Sequence, residues 1–272
     1  MVKFVITNEF IEICKLSNIQ QYLIDNNITK IQLNHNLNYE QLEFILLNIP
    51  KCIKTVYIDI FNENINLFDI LFRFIKITKI RKFIFMHINR IIINKEIDQL
   101  LDLIANNNYI KNVDFRGITG YYYIDKLFNI KSLESIHIDS SYEYYDQSII
   151  HGIANNKNFI KLTICGSYYN SHLLNTTIMA LNFNKKIKYF KIKTEITIYE
   201  LMGISRMLDD NKSLLKIKYH WRTEGQELHN NIQKKLERNK QLLADIIDNH
   251  INVIFYIPEI MEFYKEMLIL YD

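Results

Sequence analysis

Eight times along the chain, six residues repeat one order of character: apolar, any, any, apolar, any, apolar. The copies are ITKIQL, IKTVYI, IRKFIF, IKNVDF, LESIHI, FIKLTI, IKYFKI and LLKIKY, starting at Ile28, Ile53, Ile80, Ile110, Leu133, Phe159, Ile187 and Leu214. Successive starts lie 25, 27, 30, 23, 26, 28 and 27 residues apart, a period that belongs to solenoids. Within each copy the last key positions alternate with the period of two that marks a strand, and most are β-branched or aromatic. Each copy therefore predicts a short strand.

Helical spacing fills the intervals. It is carried by Tyr39, Leu42, Phe44, Ile45 and Leu46, by Ile97, Leu100, Leu101 and Ile104, by Ile149, Ile150 and Ile153, and by Leu201, Ile204 and Leu208. The interval after Ile110, GITGYYYIDKLFNIKS, has room for little more than two helical turns, so a local irregularity is expected there. Several helical segments end in Asn: Asn107-Asn108, Asn155-Asn156, Asn184 and Asn211. With only 6 Gly and 2 Pro in 272 residues, Asn is expected to supply the left-handed C-cap conformation that Gly usually provides.

A strand and a helix repeated in parallel build either a doubly wound sheet or a horseshoe solenoid. The third, fifth and seventh positions of each copy are mostly polar, so one sheet face is wet, whereas a doubly wound sheet is apolar on both. The prediction is an α/β solenoid with parallel β-strands on the concave face and helices on the convex face. Over residues 28–240 the copies resemble the leucine-rich repeat family, in particular its ribonuclease-inhibitor-like class with a helix in every repeat. That family places a small polar residue three positions past the strand core. Here Asn36 matches, and the other copies carry Phe61, Ile88, Ile118, Ser141, Ser167, Glu195 and Arg222, with Ile replacing much of the Leu. One domain is expected over 1–272: an N-terminal cap (1–27) with a first strand and an amphipathic helix, eight repeats (28–222), and a helical C-terminal cap (223–272).

Composition bounds the rest. A chain with 49% hydrophobic and 23% charged residues and a formal net charge of +3 is neither disordered nor collagen-like. Apolar runs stay short of a membrane span, and MVKFVITNEF does not read as a signal peptide. Cys14, Cys52 and Cys165 are odd in number and far apart, which suits a reducing, cytoplasmic setting and signals no metal site. Heavy use of Ile, Asn, Lys and Tyr is that of an AT-rich coding sequence, as in large DNA viruses of amoebae or some intracellular bacteria and protists.

On the wet sheet face the alternation places Lys161, Lys191, Lys193, Lys216, Lys218 and His220 in the last three repeats, a cationic third. Tyr57 and His137 face the same way earlier in the chain, and Asp114 and Asp139 put acids at the centre. Just past strands four to six come Tyr121, Tyr122, Tyr142, Tyr144, Tyr145, Tyr168 and Tyr169, which stacking would align along one rim. Tyr offers rigid contact area with a polar tip. Phosphate-loop, dinucleotide, zinc-protease and nucleophile-elbow motifs are missing, and GITG at Gly117–Gly120 reads as a turn. His137 beside Asp139 or Asp114 reads as an exposed polar pair, and a thiol–imidazole pair of Cys165 with His137 finds no oxyanion hole. Trp221 is expected under the C-terminal cap.

The expectation is a non-enzymatic binding surface without cofactor or metal. Its partner is a protein with an acidic surface; nucleic acid is the alternative, and a membrane is not expected. Nucleic-acid binders usually carry a stronger basic footprint than a pI of about 8.5 with acids at the centre. Ile257-Pro258-Glu259-Ile260 resembles the opening of F-box motifs, which would imply an adaptor in ubiquitin ligation.

Overall fold

The six-residue pattern becomes strand in every copy. The computed structural model describes residues 3–34, 37–59, 67–86, 94–115, 122–140, 147–166, 171–221 and 225–254. After β1 (Phe4–Ile6) the eight copies form β2 (Lys30–Leu33), β3 (Thr55–Asp59), β4 (Lys82–Met86), β5 (Asn112–Phe115), β6 (Ser135–Ser140), β7 (Lys161–Gly166), β8 (Tyr189–Ile196) and β9 (Lys216–Trp221). All nine pair in parallel, and their order across the sheet is their order along the chain. A doubly wound sheet reverses its strand order at a switch point; here the order never reverses, so the sheet is the open, single-direction sheet of an α/β solenoid.

Register explains the pattern. Ile31, Val56, Phe83, Val113, Ile136, Leu162, Phe190 and Ile217 follow one another across the sheet, and all are buried against the helices. The residues between them point to the opposite face, because side chains alternate along a strand. Helices fill the intervals: α1 (Asn8–Cys14), α2 (Ile19–Asp25), α3 (Tyr39–Leu47), α4 (Leu67–Ile77), α5 (Asn94–Asn106), α6 (Tyr122–Asn129), α7 (Gln147–Asn155), α8 (Ser171–Phe183), α9 (Ile198–Asp210) and α10 (Gln226–Ile254). From α3 onward each packs on the next. Capping boxes start two of them, Asn38 with Gln41 at α3 and Thr197 with Glu200 at α9.

The expected left-handed conformation appears after α2, at Asn27, but not at Asn107, Asn156, Asn184 or Asn211. Among the described residues, positive φ outside glycine occurs only at Lys15 and Asn27, and Asn211 is extended at φ −84 and ψ 103. Instead Asn107, Asn156, Asn184 and Asn211 are buried and use the whole amide. In Asn184, Nδ2 donates to the Ile153 and Asn156 carbonyls at 2.7 and 2.9 Å, while Oδ1 accepts from the Lys186 and Ile187 N–H groups at 2.8 Å each. Asn107 and Asn211 repeat the arrangement against the helix end and turn of the preceding repeat. Only a primary amide supplies two donors and a two-lone-pair acceptor in so small a side chain. A buried turn between helix and strand would otherwise strand backbone groups, so Asn serves here to bridge neighbouring repeats. The exposed Asn48, Asn106 and Asn155 do cap helices, by donating to the carbonyl four residues back.

The short repeat interrupts this seam. The eight-residue α6 ends at Asn129, and Ile130 after it occupies the place of a seam Asn. Phe128 is buried beside it, and the facing residue of α7 is Gly152, where any Cβ would overlap the Phe128 ring. Asn156 accordingly donates to Phe128 O, at 2.7 Å.

Side chains cover the sheet and helices at the first and last described repeats. Phe4, Phe10 and Tyr22 pack their rings together at 5.0–5.5 Å. At the other end Ile232, Leu236 and Asn239 line the buried side of α10. Asn239 donates to the Asn211 and Leu214 carbonyls, at 3.0 and 2.9 Å, as a seam Asn does. Its Oδ1, which a seam Asn would turn to the N–H groups of a following strand, accepts instead from the guanidinium of Arg238. Trp221 lies under this cap, stacked on His229 at 3.8 Å. The segment at Ile257–Ile260 falls outside the described residues.

Candidate partner-binding face

Two rows of side chains cross the open face of the sheet. The first runs Lys30, Thr55, Lys82, Asn112, Ser135, Lys161, Tyr189 and Lys216, and the second Val5, Gln32, Tyr57, Ile84, Asp114, His137, Thr163, Lys191 and Lys218. Neighbours in a row sit one strand spacing apart, about 4.8 Å. The sequence map is thus correct through these rows. At the β8–β9 edge it shifts, because a bulge lies between Lys191 and Glu195, and Glu195 rather than Lys193 pairs with His220.

The bulge has a consequence at the centre of the face. A bulge re-aims the side chains it carries, and Lys193 reaches back across β7 to place its Nζ 3.4 Å from His137 Nδ1. The same Nδ1 lies 2.5 Å from Asp114 Oδ1 on β5. At that separation a hydrogen bond joins them, since two lone pairs so close would repel. His137 and Asp114 are 6% and 5% exposed, so the expected exposed pair is a buried one. The reason is their place in mid-sheet, with strands on both sides. Nε2 of His137 is buried and has no hydrogen-bond partner among the described residues. Cys165 pairs in register with Asp139, and His137 with Thr163, so cysteine and histidine are not register partners.

The cationic third is a real cluster. Burial first, then the positive charges of Lys82, Lys191, Lys218 and Lys193, push the Lys161 ammonium below its ordinary range. Lys161 also lies over the Tyr189 ring, 4.7 Å from its centroid, a favourable placement for a cation. Lys216 follows Tyr189 in the first row, and His220 is exposed on β9. Tyr57 stands apart on β3, with Lys3 over its ring at 4.9 Å. Thus Lys161, Lys191, Lys193 and Lys218 come together, His137 joins them through Lys193, and Tyr57 does not.

The rim tyrosines Tyr121, Tyr142, Tyr144, Tyr145, Tyr168 and Tyr169, and the side chain of Tyr122, lie outside the described residues. Two contributors escaped the sequence reading. Asp114 was on the map but not among the candidates, although its pairing with His137 follows from adjacent copies of one pattern. Tyr189 faces the same side and was likewise not among the candidates, although an aromatic between Lys161 and Lys216 in one row is a legible platform. Among the described residues no group of His, Cys, Asp and Glu could hold a metal ion, and no helix is long and apolar enough to cross a membrane.

No known family profile and no curated protein matches this sequence. Among solved structures, the chain is similar to leiomodin-1 actin-binding site 2, at 15% identity and a TM-score of 0.40, over 68% of this chain and 98% of that one. It is also similar to the tropomodulin C-terminal domain of Caenorhabditis elegans, at 15% identity and a TM-score of 0.36, over 65% of this chain and 95% of that one.

Proposed function

We propose that the chain is a non-enzymatic protein-binding module that holds an acidic segment of a partner against the β7–β9 end of its open sheet face. Residues 1–272 act as one domain in this reading, in the cytoplasm, and the helix in each repeat of about 27 residues favours the ribonuclease-inhibitor-like class. The observation that carries it is the cluster of Lys161, Lys191, Lys193 and Lys218, in which burial first and then the neighbouring charges, Lys82 among them, hold the Lys161 ammonium below its ordinary range. Like charges gathered on a preformed sheet attract an anionic partner at long range and gain from pairing with it. A rigid solenoid also binds at little ordering cost.

The test is affinity capture from lysate, with and without nuclease, comparing wild type with a Lys191→Glu, Lys193→Glu, Lys218→Glu variant. The expected outcome is a protein retained through nuclease and lost in the variant. Capture that disappears on nuclease treatment would move the reading to nucleic acid, with lysines on phosphates and tyrosines on bases.

A further inference from the structure

The last helix outruns the solenoid it closes. At 29 residues α10 is more than twice as long as its 13-residue neighbour α9. Its first half belongs to the solenoid: Ile232, Leu236 and Asn239 are 0–2% exposed, Arg238 donates to the Leu208 carbonyl at 2.7 Å, and Asn239 reaches the Asn211 and Leu214 carbonyls. Since α9 ends at Asp210, α10 then runs on past it. Among the described residues its later hydrogen bonds stay within the helix, as from Gln241 to Asp245. At 1.5 Å per residue, residues 240–254 project roughly 22 Å beyond the last seam contact. The apolar stripe does not stop with the solenoid. Ile246 follows Asn239 by two helical turns and Leu243 follows it by one, so both continue the buried face. Ile246 is nevertheless 57% exposed, and Leu242 beside it 42%. Apolar side chains gathered on one exposed face mark an interaction surface.

The sequence that follows carries the complement. Pro258 interrupts helical spacing, because the residue before a proline is pushed out of the helical region. Apolar residues then recur at Ile260, Phe263, Tyr264, Met267, Leu270 and Tyr271, the spacing of one helix face, with Glu259, Glu262, Lys265 and Glu266 between them. We propose that residues 259–271 dock on the projecting half of α10 as the second arm of an antiparallel helical hairpin and cover Leu242, Leu243 and Ile246. A connection through residues 255–258 has the length that joins antiparallel helices. Counted outward from that connection, Met267 stands opposite Ile246, Leu270 opposite Leu243 and Tyr271 opposite Leu242, apolar against apolar at each step. A segment on so short a tether acts at an effective concentration of about millimolar, which a second copy of the chain in dilute solution does not reach. The hairpin goes beyond the reading of the lysine face, and neither depends on the other.

The experiment uses the full chain, with hydrogen exchange followed by mass spectrometry and the molecular mass read by light scattering. In the wild type, amides of 259–271 are expected to exchange at least about tenfold more slowly than those of an unstructured chain. Ile246→Asp is expected to speed exchange about tenfold in both 242–254 and 259–271, and to leave 216–239 unchanged. A second variant joins Ile246→Cys with Met267→Cys; on mild oxidation a disulfide between the two introduced thiols is expected within a monomer, identified by peptide mass. Should Ile246→Asp fail to fold, as read by circular dichroism, the wild-type exchange and the disulfide decide. Exchange of 259–271 at the unstructured rate overturns the hairpin, and so does exchange that Ile246→Asp leaves unaltered. A disulfide that forms only between chains, in a particle of twice the mass, makes a second copy the occupant and overturns it too. None of these results alters capture of an acidic partner by the lysine face, which the triple lysine variant tests separately.

Discussion

The first half of the solenoid, β1 to β5, and the second, β6 to β9, follow one plan and differ on both sides of the sheet. Behind the second half, Asn156, Asn184, Asn211 and Asn239 form an unbroken seam in which each amide reaches the repeat before it. Behind the first half, the equivalent turns use Pro50, whose carbonyl accepts from Ile53, and Thr78, whose hydroxyl accepts from Ile80; Asn107 stands alone before the interruption at Ile130. In front, the central row shows Val5, Gln32, Tyr57, Ile84 and Asp114 in the first half and ends in Lys191 and Lys218 in the second, where Lys161 and Lys216 also stand in the first row, against Lys30 and Lys82 in the first half. Among the described residues, buried amide bridges between repeats are therefore densest behind the end of the sheet whose open face gathers Lys161, Lys191 and Lys218. A solenoid is held by nearest-neighbour interfaces, so it can stiffen one stretch without altering another.

The sharpest way to break this comparison is to cut the seam. Asn184→Ala leaves the Ile153 and Asn156 carbonyls and the Lys186 and Ile187 N–H groups without their partner. Each buried group so orphaned costs about 1–3 kcal/mol, less where the backbone relaxes, so a total loss of about 3–5 kcal/mol is expected. Thr78→Ala removes one acceptor, from Ile80, and is expected to cost about 1 kcal/mol. Urea unfolding of the two variants measures the difference; equal losses would mean that the seam does not distinguish the halves.

How far these features were legible depends on whether they were local. The strands, the solenoid order and the orientation of the open-face rows follow from period-two alternation within a fixed repeat, a local signal reinforced eight times. The short α6 was legible from interval length alone. The role of the asparagines was not, because a C-cap reading considers one helix end, whereas the seam is a contact between residues about 28 positions apart. A signal was present all the same: Asn stands three residues before the first apolar position in four of the eight copies, at Asn107, Asn156, Asn184 and Asn211, where Asp25, Pro50, Ile77 and Ile130 stand in the others. The β8 bulge carried no signal in the pattern, and with it the reach of Lys193 to His137 stayed hidden. Burial of Asp114 and His137 was equally out of reach, since alternation says which face a residue takes but not how deeply its neighbours cover it.

The two caps sharpen the contrast through pH. The N-terminal cap is a cluster of Phe4, Phe10 and Tyr22 rings, whereas the C-terminal cap places His229 between Trp221 and Tyr219, whose hydroxyl lies 3.0 Å from His229 Nδ1. Burial pushes the Tyr219 phenol up to about 12, so it stays a donor, and burial lowers the His229 value below its ordinary 6.5. A depressed histidine favours the folded state above its unfolded value. Stability from this group is therefore complete above pH 6.5 and is lost as pH falls from 6.5 through the lower folded value. Trp221 is the sole tryptophan, so its fluorescence reports the cap directly. Loss of emission and of thermal stability below pH 6.5, both flattened in His229→Gln, is expected; an unchanged pH profile in that variant would remove His229 as the cause.

The smallest effect tests the repulsion itself. Lys161 lies below its ordinary value through burial and then through Lys82, Lys191, Lys218 and Lys193, so at neutral pH the folded chain bears a like-charge cost that the unfolded chain spreads apart. That cost is relieved only as pH rises through the folded value towards 10.5, or when salt screens the charges. These side chains reach solvent, and exposed charges interact weakly. Raising salt from roughly 0.05 to 0.5 M shortens the screening length severalfold and is expected to raise the unfolding midpoint by about 1 °C. In Lys218→Gln, which removes one exposed member of the cluster, the rise is expected to be smaller and the starting midpoint slightly higher. A salt response of equal size in Lys218→Gln and in Lys30→Gln, at the far end of the first row, would place the repulsion in the chain's overall charge and not in the second half's face.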